Sequence, residues 1–326
     1  MRSEPSNTAP APRDEAAGFA ASEERGGGMT RAVTVLATGP QALVQDLGRP
    51  GNAHLGVPPS GALDPPALRL ANRLVGNPEG AAGIETLLGG LHLRAECSCT
   101  VAVTGPGVGV TAAGRDVGSH VPVHLGSGEE LVIGPPELGL RCYVGVSGGI
   151  EVPAELGSRA TDVLSGIGPA PLRAGDVLPL GEPVGLPVGA DELAPGHPPD
   201  RLVVPVLLGP RDDWFDDPGG QLAGAEWTVS PQSNRVGVRL TGATLHRAPR
   251  YAERELPSEG VVTGAVQVPA GGRPVIFLAD HPTTGGYPVI GVVHPGSLPA
   301  LGQARPGTRL RLRPTGYPRV AQYSDS

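Results

Sequence analysis

The segment Arg141-Cys142-Tyr143-Val144-Gly145-Val146 runs directly into Ser147-Gly148-Gly149, a short apolar strand closed by a glycine turn. The pattern returns downstream, where Val275-Ile276-Phe277-Leu278-Ala279 leads to Thr284-Gly285-Gly286. Each is followed by a second glycine turn that launches a strand with leucines two apart. In the first half this is Gly175-Asp176-Val177-Leu178-Pro179-Leu180, and in the second Gly307-Thr308-Arg309-Leu310-Arg311-Leu312. Side chains alternate along an extended strand, so both leucines of a pair face one side. Two related, barrel-like β units in tandem would produce this echo.

The rest of the chain fits that reading. Its 326 residues can supply two cores. Glycine (51) and proline (38) are abundant and aromatics are only 3%. Short Val/Leu/Ile runs nevertheless recur between the breakers, which points to many short strands joined by tight turns rather than to disorder. Strands are predicted at 32–36, 42–47, 100–104, 121–125, 130–133 and 141–146, then at 202–208, 227–230, 236–240, 265–268, 275–279, 289–293 and 308–313. The clearest helix begins after Asp64, a candidate N-cap, with Pro65 and Pro66 in its first turn and Asn77-Pro78 as its stop. Gly181–Arg201 is loaded with Pro, Gly and acids. The predicted organisation is a tail at 1–30, a first β domain at 31–185, a linker at 186–200, a second β domain at 201–316 and a tail at 317–326. Met29 offers an alternative start within the first tail.

The chain contains no lysine, so all 25 basic residues are arginines. It therefore has no attachment point for biotin, no Schiff-base amine and no P-loop lysine. Net charge is −7, and no consecutive run of arginines forms a basic stripe, which argues against nucleic acid. Three cysteines, Cys97, Cys99 and Cys142, suit a reducing compartment. Cys97 and Cys99 share a strand face and lack the companions of a metal site, so no metal is expected. No apolar run approaches the roughly 20 residues of a membrane span. The first 28 residues lack the apolar core of a secretory leader, so the reading is of a cytoplasmic protein without a membrane partner.

Several segments carry a closer resemblance. In order they are Val44-Gln45-Asp46-Leu47-Gly48-Arg49-Pro50-Gly51, then His54 to Pro58, then Ser60-Gly61-Ala62-Leu63-Asp64. Ala71-Asn72-Arg73-Leu74-Val75-Gly76-Asn77, Glu85-Thr86, Ser158-Arg159-Ala160-Thr161-Asp162 and Gly209-Pro210-Arg211-Asp212-Asp213-Trp214-Phe215 follow. Ser230 to Gly237, Gly264 to Pro269, and Asp280 with Thr283-Thr284-Gly285-Gly286-Tyr287-Pro288 complete the set. Together they resemble the allophanate-hydrolase-subunit-2 family, which includes the C subunit of bacterial 5-oxoprolinase, biotin-dependent carboxyltransferase halves and KipA-like regulators. The resemblance spans about residues 34–313. It implies two tandem cyclophilin-like β-barrel domains with few short helices, and a working site formed beside a partner of related fold. Two departures stand out. His281 and Pro282 replace the Arg-Gln usual after Asp280, and Val289 stands where a lysine commonly follows the Gly-Gly-Tyr-Pro step.

Candidate chemistry follows from these segments. Arg49 can clamp a carboxylate through its planar fork, with Gln45 on the same face of an extended segment and Asp46 on the other. Ser60 offers a hydroxyl ahead of the helix start. Arg235 is a further anion-binding candidate, and Tyr287 completes the substrate-binding set. Asp280, Thr283 and Thr284 are the catalytic candidates, placed to orient a lactam or a water. His281 titrates near neutrality but matches no family position.

Each candidate also has a bland reading: a turn bracket for Asp46 and Arg49, a helix cap for Asp64, a surface arginine at 235, and hydrogen-bonded threonines in a tight turn. The function implied is that of a subunit, with A- and B-like partner subunits, of an ATP-dependent complex opening 5-oxo-L-proline to L-glutamate. No cofactor is bound covalently, and ATP is used by the complex. A carboxyltransferase half acting on urea or another amide, and a non-catalytic regulator of a KipI-like protein, are the alternatives.

Overall fold

The computed structural model describes residues 31–189 and 201–315. The tails, most of the linker and the candidate start at Met29 lie outside that range. The described chain is mainly β, with three short α-helices: α1 (Pro65–Leu74), α2 (Pro218–Gly224) and α3 (Leu298–Gly302).

The first half folds as two sheets around one core. A six-stranded sheet runs in the order Val177–Pro179, Ala32–Thr38, Leu91–Ala95, Glu130–Ile133, Val110–Ala112, Arg115–Asp116. A five-stranded sheet runs Gln41–Gln45, Gly83–Leu87, Arg141–Val146, Cys99–Thr104, Val123–Leu125. Glu130–Ile133 alternates exposed and buried residues, as a strand with one wet face must. Arg141–Val146 is buried at all six positions because α1 covers its outer face. That contact needs Gly145: a Cβ there would lie 2.7 Å from the Ala71 carbonyl oxygen.

The motif Ala71 to Asn77 then has a physical cause. Asn72 is buried in α1, its amide donates to the carbonyls of Glu79 and Ala81, and its Oδ1 accepts from Asn77. Asn77 in turn donates to Val146 O and accepts from Gly148 N. The helix end and the glycine turn after Arg141–Val146 are thereby fixed together. Asp64 caps α1, accepting from Ala67 N at 3.2 Å.

The second half is a closed seven-stranded barrel in the order Arg201–Leu208, Val289–Val293, Ala265–Gln267, Val275–Phe277, Gly237–Gly242, Trp227–Val229, Arg309–Thr315. Trp227 fills its core and donates its indole N–H to Ala243 O. The leucine pairs of the sequence echo are all buried. The strand carrying Leu178 pairs antiparallel with Ala32–Thr38, whereas the strand carrying Leu310 and Leu312 pairs parallel with Arg201–Leu208. The echo thus predicts which way the leucines face but not the strand direction. In the linker region, Val188 N–H still donates to Leu74 O, so the chain hugs α1 as it leaves the first half.

Candidate functional site

The two halves meet on a buried set of charges. Arg235 precedes the barrel strand Gly237–Gly242 and points across the seam. Its Nε donates to Asp280 Oδ2 at 2.8 Å and its Nη2 to Asp280 Oδ1 at 3.1 Å. Nη1 donates to Glu85 Oε1 at 2.5 Å, and Nη2 also reaches Gly61 O at 2.6 Å. Glu85 lies mid-strand in Gly83–Leu87 and also accepts from Leu63 N and from the Tyr143 hydroxyl. Arg141 Nε stands 3.4 Å from Glu85 Oε1, and its Nη1 donates to Gly302 O.

Burying charges is costly unless they are paired and hydrogen-bonded, and here they are both. Burial alone would raise the Glu85 pKa, but Arg235 and Arg141 overcome it and hold the carboxyl below its ordinary value. Arg235 is likewise held protonated: burial disfavours its charge, and Glu85 and Asp280 more than compensate. Burial, and then Glu85, push the Tyr143 phenol well up. Asp64, at the edge of this set, is raised mainly by burial.

This geometry revises two sequence readings. Arg235 is neither a surface arginine nor a free anion clamp, because four hydrogen bonds inside the protein occupy its fork. Asp280 is fully buried, and its oxygens are taken by Arg235 and by Val163 N at 3.2 Å. The two side chains expected to handle substrate separately instead bind each other.

A second group of polar residues surrounds the end of Gln41–Gln45. The extended segment expected through residue 47 stops at Gln45, and Gly48 turns the chain at φ 85°. Gln45, Asp46 and Arg49 therefore do not sort to opposite faces; all three grip residues 155–161. Gln45 Nε2 donates to Thr161 O at 2.8 Å. Arg49 donates to Glu155 O and Ala160 O. Asp46 accepts from Gly48 N, the Ser158 hydroxyl and Arg159 N, so its carboxylate serves as a bracket for that loop.

Gln45 Oε1, Arg49 Nη1, Ser60 Oγ and Thr161 Oγ1 are buried and have no hydrogen-bond partner within the described residues. Such atoms are rare in folded proteins, and each costs about 1–3 kcal/mol if left unpaired. Ser60 is held at φ 51°, a left-handed conformation costly for a residue with a Cβ, and its N–H donates to Ala279 O beside Asp280. The set offers donors from a guanidinium and two hydroxyls, with one amide oxygen as acceptor. A carboxylate or amide-like group matches that chemistry.

Thr283, Thr284 and Tyr287 stand further out. Thr284 belongs to a two-stranded ribbon with Glu259–Gly260, and Thr283 O accepts from Val261 N. Thr284 and Tyr287 are exposed and Thr283 is half-buried. His281 is buried, with Nδ1 2.7 Å from Pro282 O and Nε2 3.1 Å from the Thr263 hydroxyl. The carbonyl contact puts the proton on Nδ1, and Nε2 accepts from Thr263. Burial lowers the His281 pKa, which favours this neutral ring. The three cysteines are free and buried, and burial pushes the Cys99 and Cys142 thiols up to about 11 and about 12.

Backbone contacts join the two groups: Ser60 N to Ala279 O, Gly61 O to Arg235, and Val163 N to Asp280. Sequence reasoning quoted Glu85 and Thr161 within the matched segments and Arg141 and Tyr143 within a strand run, but gave none of the four a role in the site, and it missed Gln303. Glu85 carried a signal, being the lone acid in the apolar run Gly83-Ile84-Glu85-Thr86-Leu87.

A family model described as "Carboxyltransferase domain, subdomain A and B" matches residues 55–314. The chain is 36% identical over 276 residues to the 5-oxoprolinase C subunit of Escherichia coli, covering 82% of this chain and 86% of that protein. It is 32% identical to the Haemophilus influenzae protein of the same name, covering 89% and 93%. Urea amidolyase of Saccharomyces cerevisiae is 33% identical over 88% of this chain, which spans only 17% of that protein. Among solved structures, the K. lactis urea amidolyase superposes with a TM-score of 0.82 at 32% identity, covering 88% of this chain and 19% of that one. TTHA0988 gives 0.78 at 36%, covering 87% and 56%. With its two β units, its matched segments and these relatives in agreement, the chain belongs to the carboxyltransferase-domain family of the subdomain A and B type.

Proposed function

We propose that this chain is the C-type subunit of an ATP-dependent complex that opens 5-oxo-L-proline to L-glutamate. The carrying observation is one of extent: the two relatives named as 5-oxoprolinase C subunits are matched over 86% and 93% of their own length. In this reading the lactam oxygen takes the γ-phosphoryl group of ATP and ADP leaves. One water adds to the activated carbon, the C–N bond opens to an acyl phosphate, and a second water hydrolyses that to the free carboxylate and inorganic phosphate. Arg49 Nη1 and the Ser60 and Thr161 hydroxyls supply donors to the substrate carboxylate or the developing oxyanion, and Gln45 Oε1 accepts from the lactam N–H. Asp280 and Arg235 hold the seam behind them. Thr283, Thr284 and Tyr287 line the approach. With no lysine in the chain, the partner subunits carry the ATP phosphates.

Partner subunits are also supported by the surface. Leu55, Leu156, Val163, Leu164, Val262 and Tyr287 are exposed and flank the polar groups in sequence. Exposed apolar residues are what a docking subunit covers. Among the described residues no helix is long and apolar enough to cross a membrane.

The family model and the urea amidolyase superposition favour a second reading, a carboxyltransferase half that passes a carboxyl group from a partner's biotin to an amide. The assembled complex separates the two. Glutamate formed from 5-oxo-L-proline and ATP supports the first. Carboxylation of urea from bicarbonate, without glutamate release from the lactam, would overturn it.

A further inference from the structure

The barrel carries a basic patch that the order of residues conceals. Strand alternation in Arg309–Thr315 buries Leu310 and Leu312 and turns Arg309, Arg311 and Arg313 outward. The parallel neighbour places Arg201 opposite Arg309 and the exposed Val203 opposite Arg311. The sequence expectation of no basic stripe therefore fails, because the alternation that buries the leucines puts the arginines between them on the outer face.

A depression of about 260 Å³ opens here, lined by Arg201, Val203, Ala223, Arg311, Leu312 and Arg313. Glu226 answers two of the arginines, Arg309 Nε at 2.5 Å and Arg201 Nη1 at 3.7 Å. Arg311 donates to Ala223 O at the end of α2. Among the described residues Arg311 makes no ion pair, though its charge also acts on Glu226, and Arg313 has no hydrogen-bond or ion-pair partner. Among these residues four guanidiniums thus face one carboxylate, on a chain whose net charge is −7.

We infer that this groove docks an extended acidic segment of a partner protein. Alternate strand residues lie about 6.6–6.8 Å apart, which matches carboxylates two residues apart on an extended chain. Val203 and Ala223, both exposed, supply an apolar floor for the side chain between them. A single phosphate cannot span that row, and the negative chain repels a nucleic-acid duplex. The groove shares no residue with the site described above.

The probe is a fluorescein-labelled peptide, Glu-Val-Glu-Val-Glu, followed by anisotropy on the full chain. Expected is binding that weakens with salt and falls about tenfold when Arg313→Gln is combined with Arg311→Gln. Arg313→Gln alone, which removes no hydrogen bond or ion pair among the described residues, should give a smaller loss with an unchanged melting temperature, so that a fault at the end of α2 cannot mimic the result. Equal binding by the double variant or equal binding of Gln-Val-Gln-Val-Gln would overturn the inference. So would displacement of the peptide by equimolar ATP, inorganic phosphate or duplex DNA.

Discussion

Arg235, carried by the barrel, donates to Glu85, carried by the first half, at 2.5 Å, and both side chains are almost completely buried. This contact is the electrostatic joint between the two units. Arg235 binds Asp280 on its own side, so one guanidinium bridges two carboxylates, and Arg141 supplies Glu85 with a second cation. Removing the cation would leave Asp280 buried without one and Glu85 with Arg141 alone. Arg235→Met should cost roughly 3–5 kcal/mol in chemical denaturation. A loss below about 1 kcal/mol, the range of exposed pairs, would show that the joint is not carrying the interface.

The same joint sets an acid limit. The folded-state pKa of Glu85 lies below its ordinary 4.5. Its stabilising contribution is therefore complete above that value and is lost as pH falls through the lower folded value. Unfolding free energy measured from neutral pH downward should drop below about pH 4.5 in the wild type, and more shallowly in Glu85→Gln. Parallel curves would remove Glu85 from the explanation.

Gln303, just after α3, closes the seam on its other side. Its Oε1 accepts from Leu140 N and Arg141 N, and its Nε2 donates to Asp64 Oδ2 and Arg141 O, all between 2.8 and 2.9 Å. At about 0.5–1.5 kcal/mol net per bond, the four bonds imply that Gln303→Ala should cost ~2–6 kcal/mol. Hydrogen exchange at the Leu140 and Arg141 amides should accelerate more than exchange in the barrel core. A uniform acceleration would instead indicate global loss without a local role.

Ser60 combines backbone strain with an unpartnered hydroxyl. Ser60→Gly relieves the left-handed backbone and should leave the fold unchanged or stabilise it by up to about 1 kcal/mol. In the assembled complex the same change should raise KM or lower kcat, since the hydroxyl is lost. A variant with unaltered turnover would make Ser60 a turn residue only.

Much of the fold is written in local pattern. Arg141–Val146, Glu130–Ile133 and Val289–Val293 fall where the apolar runs place them, and Asp64 caps α1 as its position before two prolines implies. Strand pairing is less legible. Nothing in Arg309–Thr315 says that it lies parallel to Arg201–Leu208, because direction is set by which strand the chain returns beside. The site was legible as segments but not as contacts. Arg235 and Asp280 both stood out, yet their pairing depends on a separation of 45 residues, and Glu85 lies 150 residues from Arg235. Thr161 stood in the matched run Ser158 to Asp162 but drew no role of its own, because nothing in that run distinguishes it; its burial beside Gln45 does.

The central claim is membership in the lactam-opening complex, and omission tests it most directly. ATP-dependent glutamate release from 5-oxo-L-proline is measured with this chain co-assembled with its A- and B-like partners, and again with this chain left out. The expected result is release from the full assembly and none without this chain. Release that persists in its absence, or none from a verified full assembly, would contradict the account.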